Sequence, residues 1–363
     1  MGLKKRYNDI CNLPSGQKNL ITDVPGVLVG HVTIDDSSQK TGVTAILPQP
    51  DNLFQQKLVA ATHVINGFGK SAGLVQIDEL GTLESPIILT NTFAVGTAIT
   101  ANIKYMLSHN TDIGNSTGTI NSVVLECNDG VINNIRNLVI TEDHVSEAIK
   151  KASEDFEEGA VGAGRGMSCY DLKGGIGSAS RVISIDGKDY TIGVLVLANH
   201  GFLDVLNIYG TPIGKMLSED KAIKPIEKGS IITIIATDIP FDSRQLKRLA
   251  KRSSVGITRS GSFIGNGSGE ITVAFSTANR VSHYENEQIE QIFRVSENHM
   301  DEYFRAVVSA VDESVLSVLV HAETVIDRNG TPHLSLLDSI KQFQVKHNDE
   351  EVEKMLERLG IGI

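Results

Sequence analysis

A glycine followed by a serine carries the most suggestive chemistry in this chain. Gly229 and Ser230 precede a mostly apolar stretch, residues 231–236. In this order the Ser230 hydroxyl is placed to attack the carbonyl carbon just before it. Cleavage there would leave a serine whose own α-amine, with a pKa of about 7.7–8.0, is a base beside the nucleophile. The pair by itself is more typical of a turn that leads into a strand, because glycine and serine are ordinary turn residues.

Three further polar residues have types that suit this chemistry. Ser268 and Glu270 stand two residues apart at the entry to a strand pattern, so their side chains are predicted to lie on the same side. A carboxylate stabilises a nearby ammonium group, and a hydroxyl can relay a proton. Asn199 ends another strand pattern, and its amide can donate to a developing oxyanion. The alternatives are a polar turn for the pair and a turn residue before Gly201 for the asparagine.

Other kinds of site find little support in the sequence. The three cysteines are widely spaced and odd in number, which argues against a disulfide framework or a zinc-binding pair. The histidines form no His-Glu-x-x-His motif, and no Gly-x-Ser-x-Gly nucleophile elbow lies on a predicted strand-turn-helix. Residues 67–71 imitate the end of a phosphate-binding loop but lack its earlier glycine. We therefore predict no metal and no cofactor.

The composition is that of a globular protein that has neither a block of like charges nor a membrane-spanning segment. The chain has 363 residues, 40% of them hydrophobic, and a net charge of -11 with no block of like charges. An acidic surface does not favour nucleic acid or anionic membranes, so we predict neither as a partner. No apolar run reaches the roughly 18 residues of a membrane span, and the first residues lack the apolar core of a signal peptide. These features predict a cytoplasmic protein.

The positioning elements alternate between buried strands and amphipathic helices. Strand patterns cover residues 27–33, 44–47, 86–90, 122–126, 181–185, 190–198, 230–238 and 270–276. Helical patterns cover residues 93–103, 141–156, 242–250, 300–323 and 349–359. Several strands are apolar throughout, as expected when both faces of a sheet are covered. The order of elements predicts a layered α/β or α+β sandwich, with residues 1–363 forming one domain.

Taken together, the motifs resemble a known family. The chain is similar to the self-processing N-terminal-serine aminopeptidases, which include L-aminopeptidase/D-esterase and the β-peptidyl aminopeptidases. The similarity extends over almost the whole chain, in the segments 21–27, 30–33, 66–69, 86–92, 162–181, 198–201, 229–230, 236–238, 245–250 and 265–269. So many segments in the same order make the resemblance specific.

The resemblance implies both a fold and a maturation step. The fold would be a four-layer αββα sandwich of the N-terminal-nucleophile kind, with the topology shared by these aminopeptidases and ornithine acetyltransferase. The precursor would cleave itself between Gly229 and Ser230. Residues 1–229 and 230–363 would stay associated, and the cleaved units would assemble into a homo-oligomer.

It also implies roles for the candidate residues. Ser230 would be the nucleophile and its new amine the proton acceptor, with Ser268 and Glu270 in support. Asn199 matches the asparagine on the oxyanion side. The reaction would pass through an acyl-enzyme and release the N-terminal residue of a short peptide, amide or ester.

Two positions depart from the family pattern. Asn128 stands where an aromatic residue, often tyrosine, is usual, so it is a candidate oxyanion or substrate contact in place of the tyrosine hydroxyl. Lys70 stands where, in the family, an acidic residue often follows the Asn-Gly-x-Gly motif. Both changes are expected to affect substrate choice or rate. Two alternatives stay open at this point: an acyltransferase of the ornithine acetyltransferase type, and an unprocessed binding protein of the same fold.

Overall fold

Two β-sheets form the centre of the protein. The computed structural model describes residues 13–218, 229–284 and 288–347, together with the single residues 354 and 357. The described strands are β1 (Leu28–Asp35), β2 (Lys40–Leu47), β3 (Gln56–Gly67), β4 (Thr82–Leu83), β5 (Ile87–Asn91), β6 (Val123–Cys127), β7 (Ser168–Cys169), β8 (Leu172–Lys173), β9 (Gly175–Ile185), β10 (Lys188–Asn199), β11 (Ser230–Thr237), β12 (Gly269–Ser282), β13 (Val325–Ile326) and β14 (Pro332–His333). The smaller sheet has the order β1-β2-β5-β6, and the larger one β4-β3-β12-β11-β10-β9. Two short hairpins, β7-β8 and β13-β14, lie outside these sheets.

Helices cover the outer face of each sheet. The described helices are α1 (Leu74–Leu80), α2 (Val95–His109), α3 (Glu142–Lys150), α4 (Ile213–Ser218), α5 (Ser243–Ala250), α6 (Ser253–Arg259), α7 (Met300–His321) and α8 (Leu336–His347). Helices α2 and α3 pack on the four-stranded sheet, whereas α5, α6 and α7 pack on the six-stranded sheet. A third apolar core fills the space between the two sheets. The predicted four-layer αββα sandwich is therefore confirmed.

The apolar stretch after Ser230 is explained by this layering. Side chains of a strand alternate between its two faces. In β11, Ile232 and Ile234 face the core between the sheets, while Ile231 and Ile235 face the helices. All eight residues of β11 are buried. A strand covered on both faces needs apolar residues at successive positions, which is why its sequence shows no alternation.

A buried ion pair joins two segments that lie on opposite sides of the Gly229–Ser230 bond in sequence. The Arg181 guanidinium of β9 lies 2.6 Å from the Glu313 carboxylate of α7, and both side chains are fully buried. Arg181 also donates to the Ser309 hydroxyl at 2.9 Å, and Glu313 accepts from the Asn19 amide at 2.7 Å. The surrounding hydrogen bonds offset the cost of burying the two charges.

One predicted helix ends earlier than its pattern suggested. The pattern over residues 141–156 predicts sixteen helical residues, but α3 ends at Lys150. Beyond it, Ser153 exchanges two backbone hydrogen bonds of 3.0 Å with Val29 of β1, and this pairing requires extended backbone. The helix predicted over residues 349–359 falls almost entirely outside the described residues. Among the described helices, none is both long and apolar enough to cross a membrane.

Candidate active site

Two of the predicted site residues, Ser230 and Asn199, are direct neighbours across the larger sheet. Ser230, the first residue of β11, pairs with Asn199 of β10 on one side and with Gly269 of β12 on the other. Ser230 and Asn199 have the same strand parity as Ile232 and Leu197, which belong to the core between the sheets. Their side chains therefore face the smaller sheet. The Ser230 side chain is almost buried, with 6% of the residue exposed.

The Ser230 hydroxyl contacts the peptide group that precedes it. Its Oγ donates a hydrogen bond of 2.7 Å to the carbonyl oxygen of Gly229. The same carbonyl oxygen accepts from the backbone N–H of Gly269 at 3.2 Å. The hydroxyl is thus held beside the carbonyl that it would attack, and that carbonyl is polarised by a neighbouring strand.

Ser268 and Glu270 form a buried pair on either side of Gly269. Both are fully buried, and the Ser268 hydroxyl donates to Oε1 of Glu270. The carbonyl of Ser268 accepts from the Asn66 side-chain amide and from the backbone N–H of Phe68. As the sequence predicted, the pair meets at the entry to β12. Its position beside the cross-strand neighbour of Ser230 places it next to the N-terminal end of β11.

Asn199 is held at both ends of its amide. Its Oδ1 accepts from the backbone N–H of Ser168 at 2.8 Å, and its Nδ2 donates to the carbonyl oxygen of Asn128 at 3.0 Å. The exposed side chain of Asn128 instead caps its own turn, because its Oδ1 accepts from the N–H of Gly130 at 2.8 Å. Asn128 therefore meets the site through its backbone, a contact that its side-chain type could not indicate.

A buried lysine orders the loop that holds Asn199. The Lys173 ammonium group is fully buried and donates to the carbonyl oxygens of Gly164, Met167 and Gly174 at 2.7–3.0 Å. Burial lowers the pKa of Lys173 well below its usual range. These three bonds fix the loop on which Ser168 presents its N–H to Asn199. Sequence reasoning missed this lysine, whose only signal was a charged residue within a glycine-rich stretch.

A second buried carboxylate lies at the end of β6. Glu126 accepts from the backbone N–H of Lys70 at 2.8 Å and from the Thr92 hydroxyl. Only 3% of Glu126 is exposed. The Lys70 ammonium group lies over the ring of the exposed Phe68, 4.6 Å from its centroid. The sequence signal for Glu126 was an acidic residue within an otherwise apolar strand, which is rare without a partner.

Two neighbouring groups are unsuited to nucleophilic or basic chemistry at neutral pH. Burial, reinforced by the carboxylates of Glu126 and Glu270, raises the pKa of the Cys127 thiol well above its usual range. Burial also lowers the pKa of His200, which follows Asn199, from 6.5 to about 4. Cys127 therefore stays a thiol and His200 stays neutral. Neither competes with the Ser230 hydroxyl as the attacking group.

A cavity of 590 Å³ adjoins the Asn199 side of this region. Ser168, whose N–H holds Asn199, forms part of its wall, together with Asp171, Phe202, His333 and Phe343. Both aromatic and charged side chains therefore line a space beside the loop ordered by Lys173. Cavities of about 300–1,000 Å³ are the usual size for small-molecule sites.

Comparison with known proteins identifies the family. The family model described as Peptidase family S58 matches residues 19–333. The chain belongs to peptidase family S58. This S58 peptidase is 35% identical over 359 residues to a β-peptidyl aminopeptidase, BapA, from Sphingosinicella microcystinivorans; the match covers 91% of this chain and 89% of the relative.

Solved structures agree with this assignment. The S58 peptidase matches PH0078 from Pyrococcus horikoshii OT3 with a TM-score of 0.86 and 47% identity, over 92% of this chain and 95% of that one. It matches the L-aminopeptidase D-Ala-esterase/amidase of Ochrobactrum anthropi with a TM-score of 0.82 and 33% identity, over 93% and 98% of the two chains. The latter is described as a prototype of the serine aminopeptidases and a new variant of the Ntn hydrolase fold.

These findings confirm the sequence-based predictions of family, fold and reaction class. The protein is a peptidase of the serine aminopeptidase type, with aminopeptidase/amidase function. They favour a hydrolase over the acyltransferase and the binding protein considered above. The roles of the individual site residues and the cleavage of the chain remain predictions.

Proposed function

We propose that this protein is a single domain that matures by cleaving itself at Gly229–Ser230 and then uses Ser230 as an N-terminal nucleophile. The observation that carries the proposal is the 2.7 Å hydrogen bond from the Ser230 hydroxyl to the Gly229 carbonyl oxygen. Attack of the hydroxyl oxygen on the neighbouring Gly229 carbonyl carbon divides the chain into residues 1–229 and residues 230–363. Three contacts keep the two chains together: the pairing of β10 with β11, the pairing of β12 with β3, and the buried Arg181–Glu313 ion pair.

In the mature enzyme, the new α-amine of Ser230 accepts the hydroxyl proton during attack on the substrate. An α-amine titrates near neutral pH, so it is available as a base under working conditions. The Ser268–Glu270 pair supports this step: its carboxylate stabilises the ammonium form, and its hydroxyl relays the proton. The Asn199 amide stabilises the oxyanion, and water then releases the acyl group from Ser230.

An aminopeptidase must also recognise the free ammonium group of its substrate, and Glu126 supplies the matching charge. Its carboxylate is buried at the end of β6, two residues from the Asn128 carbonyl that contacts Asn199. A buried carboxylate attracts a cation more strongly than an exposed one, because water screens it less. Glu126 therefore selects peptides, amides and esters with a free N-terminus.

The substrates are short peptides, amides or esters, and β-aminoacyl compounds are among those to test first. The support comes from the activities of two relatives, a β-peptidyl aminopeptidase and an L-aminopeptidase D-Ala-esterase/amidase. The cytoplasmic location and the homo-oligomer predicted from the sequence belong to the same proposal.

Denaturing electrophoresis and N-terminal sequencing test the maturation step. Freshly purified protein should show two fragments, and the smaller should begin Ser-Ile-Ile-Thr. Ser230→Ala should stay one chain and lose turnover of L-, D- and β-aminoacyl p-nitroanilides. Ser314→Ala is the matched control, because among the described residues its buried hydroxyl bonds within α7, to the Ala310 carbonyl. A fully active chain that never cleaves would refute the proposal.

A further inference from the structure

The oxygen that would become the oxyanion of self-cleavage already has a fixed donor. The Gly229 carbonyl oxygen accepts from the Gly269 backbone N–H at 3.2 Å, in addition to the Ser230 hydroxyl at 2.7 Å. Gly269 is the first residue of β12 and pairs with Ser230 in parallel register. When the hydroxyl attacks, its proton leaves and its bond to the Gly229 oxygen is lost. The Gly269 N–H then remains as the donor on that oxygen.

The Asn199 amide is engaged elsewhere in the uncleaved chain. Its Nδ2 donates to the Asn128 carbonyl and its Oδ1 accepts from the Ser168 N–H, so both ends of the amide group are held by partners other than Gly229. The Lys173 ammonium group fixes the loop that carries Ser168. An amide nitrogen carries two N–H donors, and the Asn128 carbonyl takes one of those of Asn199, while the Gly229 oxygen accepts from Gly269 and Ser230 instead.

We infer that the same serine uses two different oxyanion donors: the Gly269 N–H in self-cleavage and the Asn199 amide in turnover. This inference rests on the proposed self-cleavage. In that reaction, a bond forms from Ser230 Oγ to the Gly229 carbonyl carbon, and the Gly269 N–H holds the resulting oxyanion. The bond from that carbon to the Ser230 nitrogen then breaks, and the nitrogen takes the hydroxyl proton. Water hydrolyses the resulting ester to the Gly229 carboxylate and the free Ser230 hydroxyl.

The residue type at position 269 fits this role. An ideal Cβ added to Gly269 would lie 2.9 Å from the Phe68 carbonyl oxygen and 3.2 Å from Ser230 Oγ. A side chain would therefore crowd the attacking hydroxyl. Glycine allows the β12 backbone to approach both the nucleophile and the carbonyl that it attacks. Because the donor is a backbone group within a sheet, it is fixed before the reaction, as effective oxyanion donors are.

Two variants separate the donors, in pulse-labelled cell-free synthesis followed by electrophoresis. Replacing Gly269 by glycolate turns one backbone amide into an ester and removes only the N–H. We expect this variant to cleave itself about 10²–10³-fold more slowly, the usual effect of losing one oxyanion donor. The corresponding ester at Val273, a core residue of the same strand, controls for the loss of one sheet hydrogen bond and should cleave at the normal rate.

Asn199→Ala should show the opposite pattern. We expect it to cleave itself within a few-fold of the wild-type rate, whereas the mature form releases p-nitroaniline about 10²–10³-fold more slowly. The inference is overturned if Asn199→Ala folds but stays uncleaved, or if the glycolate variant cleaves at the normal rate. Should the glycolate variant fail to fold, the Asn199→Ala result decides alone. A wild-type chain that never cleaves would instead refute the underlying proposal of self-cleavage.

Discussion

Replacing Gly229 by alanine should impair self-cleavage without impairing the mature enzyme. An ideal Cβ at this position would lie 2.5 Å from the His200 Cα and 2.6 Å from the Asn199 carbonyl oxygen. Both are backbone atoms at the end of β10, so no side-chain rotation relieves the contact. The scissile peptide group must therefore move relative to the strand beside it.

The size of the effect follows from this displacement. Restoring ordinary contact distances requires a shift of about 1 Å, and a misplacement of that size costs on the order of 10²-fold in rate. Overpacking also destabilises the uncleaved chain by about 1–3 kcal/mol. After cleavage, Gly229 is the free end of its chain and can move away from His200. The mature Gly229→Ala enzyme should therefore turn over substrate at close to the wild-type rate.

The assay is a time course of cleavage after pulse-labelled synthesis, with turnover measured per cleaved molecule. Thermal unfolding of the uncleaved form is compared in the Ser230→Ala background, where neither chain can process. Gly96→Ala is the matched control, because its added Cβ meets nothing within 4 Å and lies in α2. Wild-type cleavage kinetics together with unchanged unfolding of Gly229→Ala would show that this close approach does not control the scissile bond.

Three further changes test the surrounding site. Glu126→Gln should raise KM for aminoacyl p-nitroanilides about 10-fold or more with kcat nearly unchanged, since a charged hydrogen bond contributes about 1.5–3 kcal/mol; an unchanged KM would contradict the proposed ammonium contact. Lys173→Met should lower the free energy of unfolding in urea by about 2–4 kcal/mol, because three buried carbonyl groups lose their donor while a buried charge is also removed. Acidification should destabilise the fold. Burial lowers the pKa of His31 and His200 from 6.5 to about 4, so between these pH values the unfolded chain binds protons that the folded protein does not. The free energy of unfolding is therefore highest above pH 6.5 and falls as the pH drops towards 4. Burial raises the pKa of Asp129 to about 6, which offsets part of this loss below pH 6. The free energy of unfolding in urea should therefore be about 2–3 kcal/mol lower at pH 5 than at pH 7. A higher free energy of unfolding at pH 5 would refute the assignment.

Much of the fold could be predicted because its signals are local. The apolar stretch after Ser230 is strand β11, and Asp242 caps α5 by accepting from the Gln245 N–H at 2.6 Å. Both features depend on residues close in sequence, where periodicity and capping operate. The end of α3 could not be predicted in this way, because pairing of Ser153 with Val29 overrides a helical pattern that continues beyond Lys150.

The sequence by itself determined which residue types were available for chemistry, and in what order: an asparagine at the end of one strand, a glycine before a serine that begins a second strand, and a serine and a glutamate at the entry to a third. Only the tertiary structure decided how they meet. The contacts of Gly229 with Gly269, and of Asn199 with Asn128, join segments far apart in sequence. Strand pairing and sheet stacking set these contacts, and they depend on the burial of whole sheets rather than on neighbours along the chain.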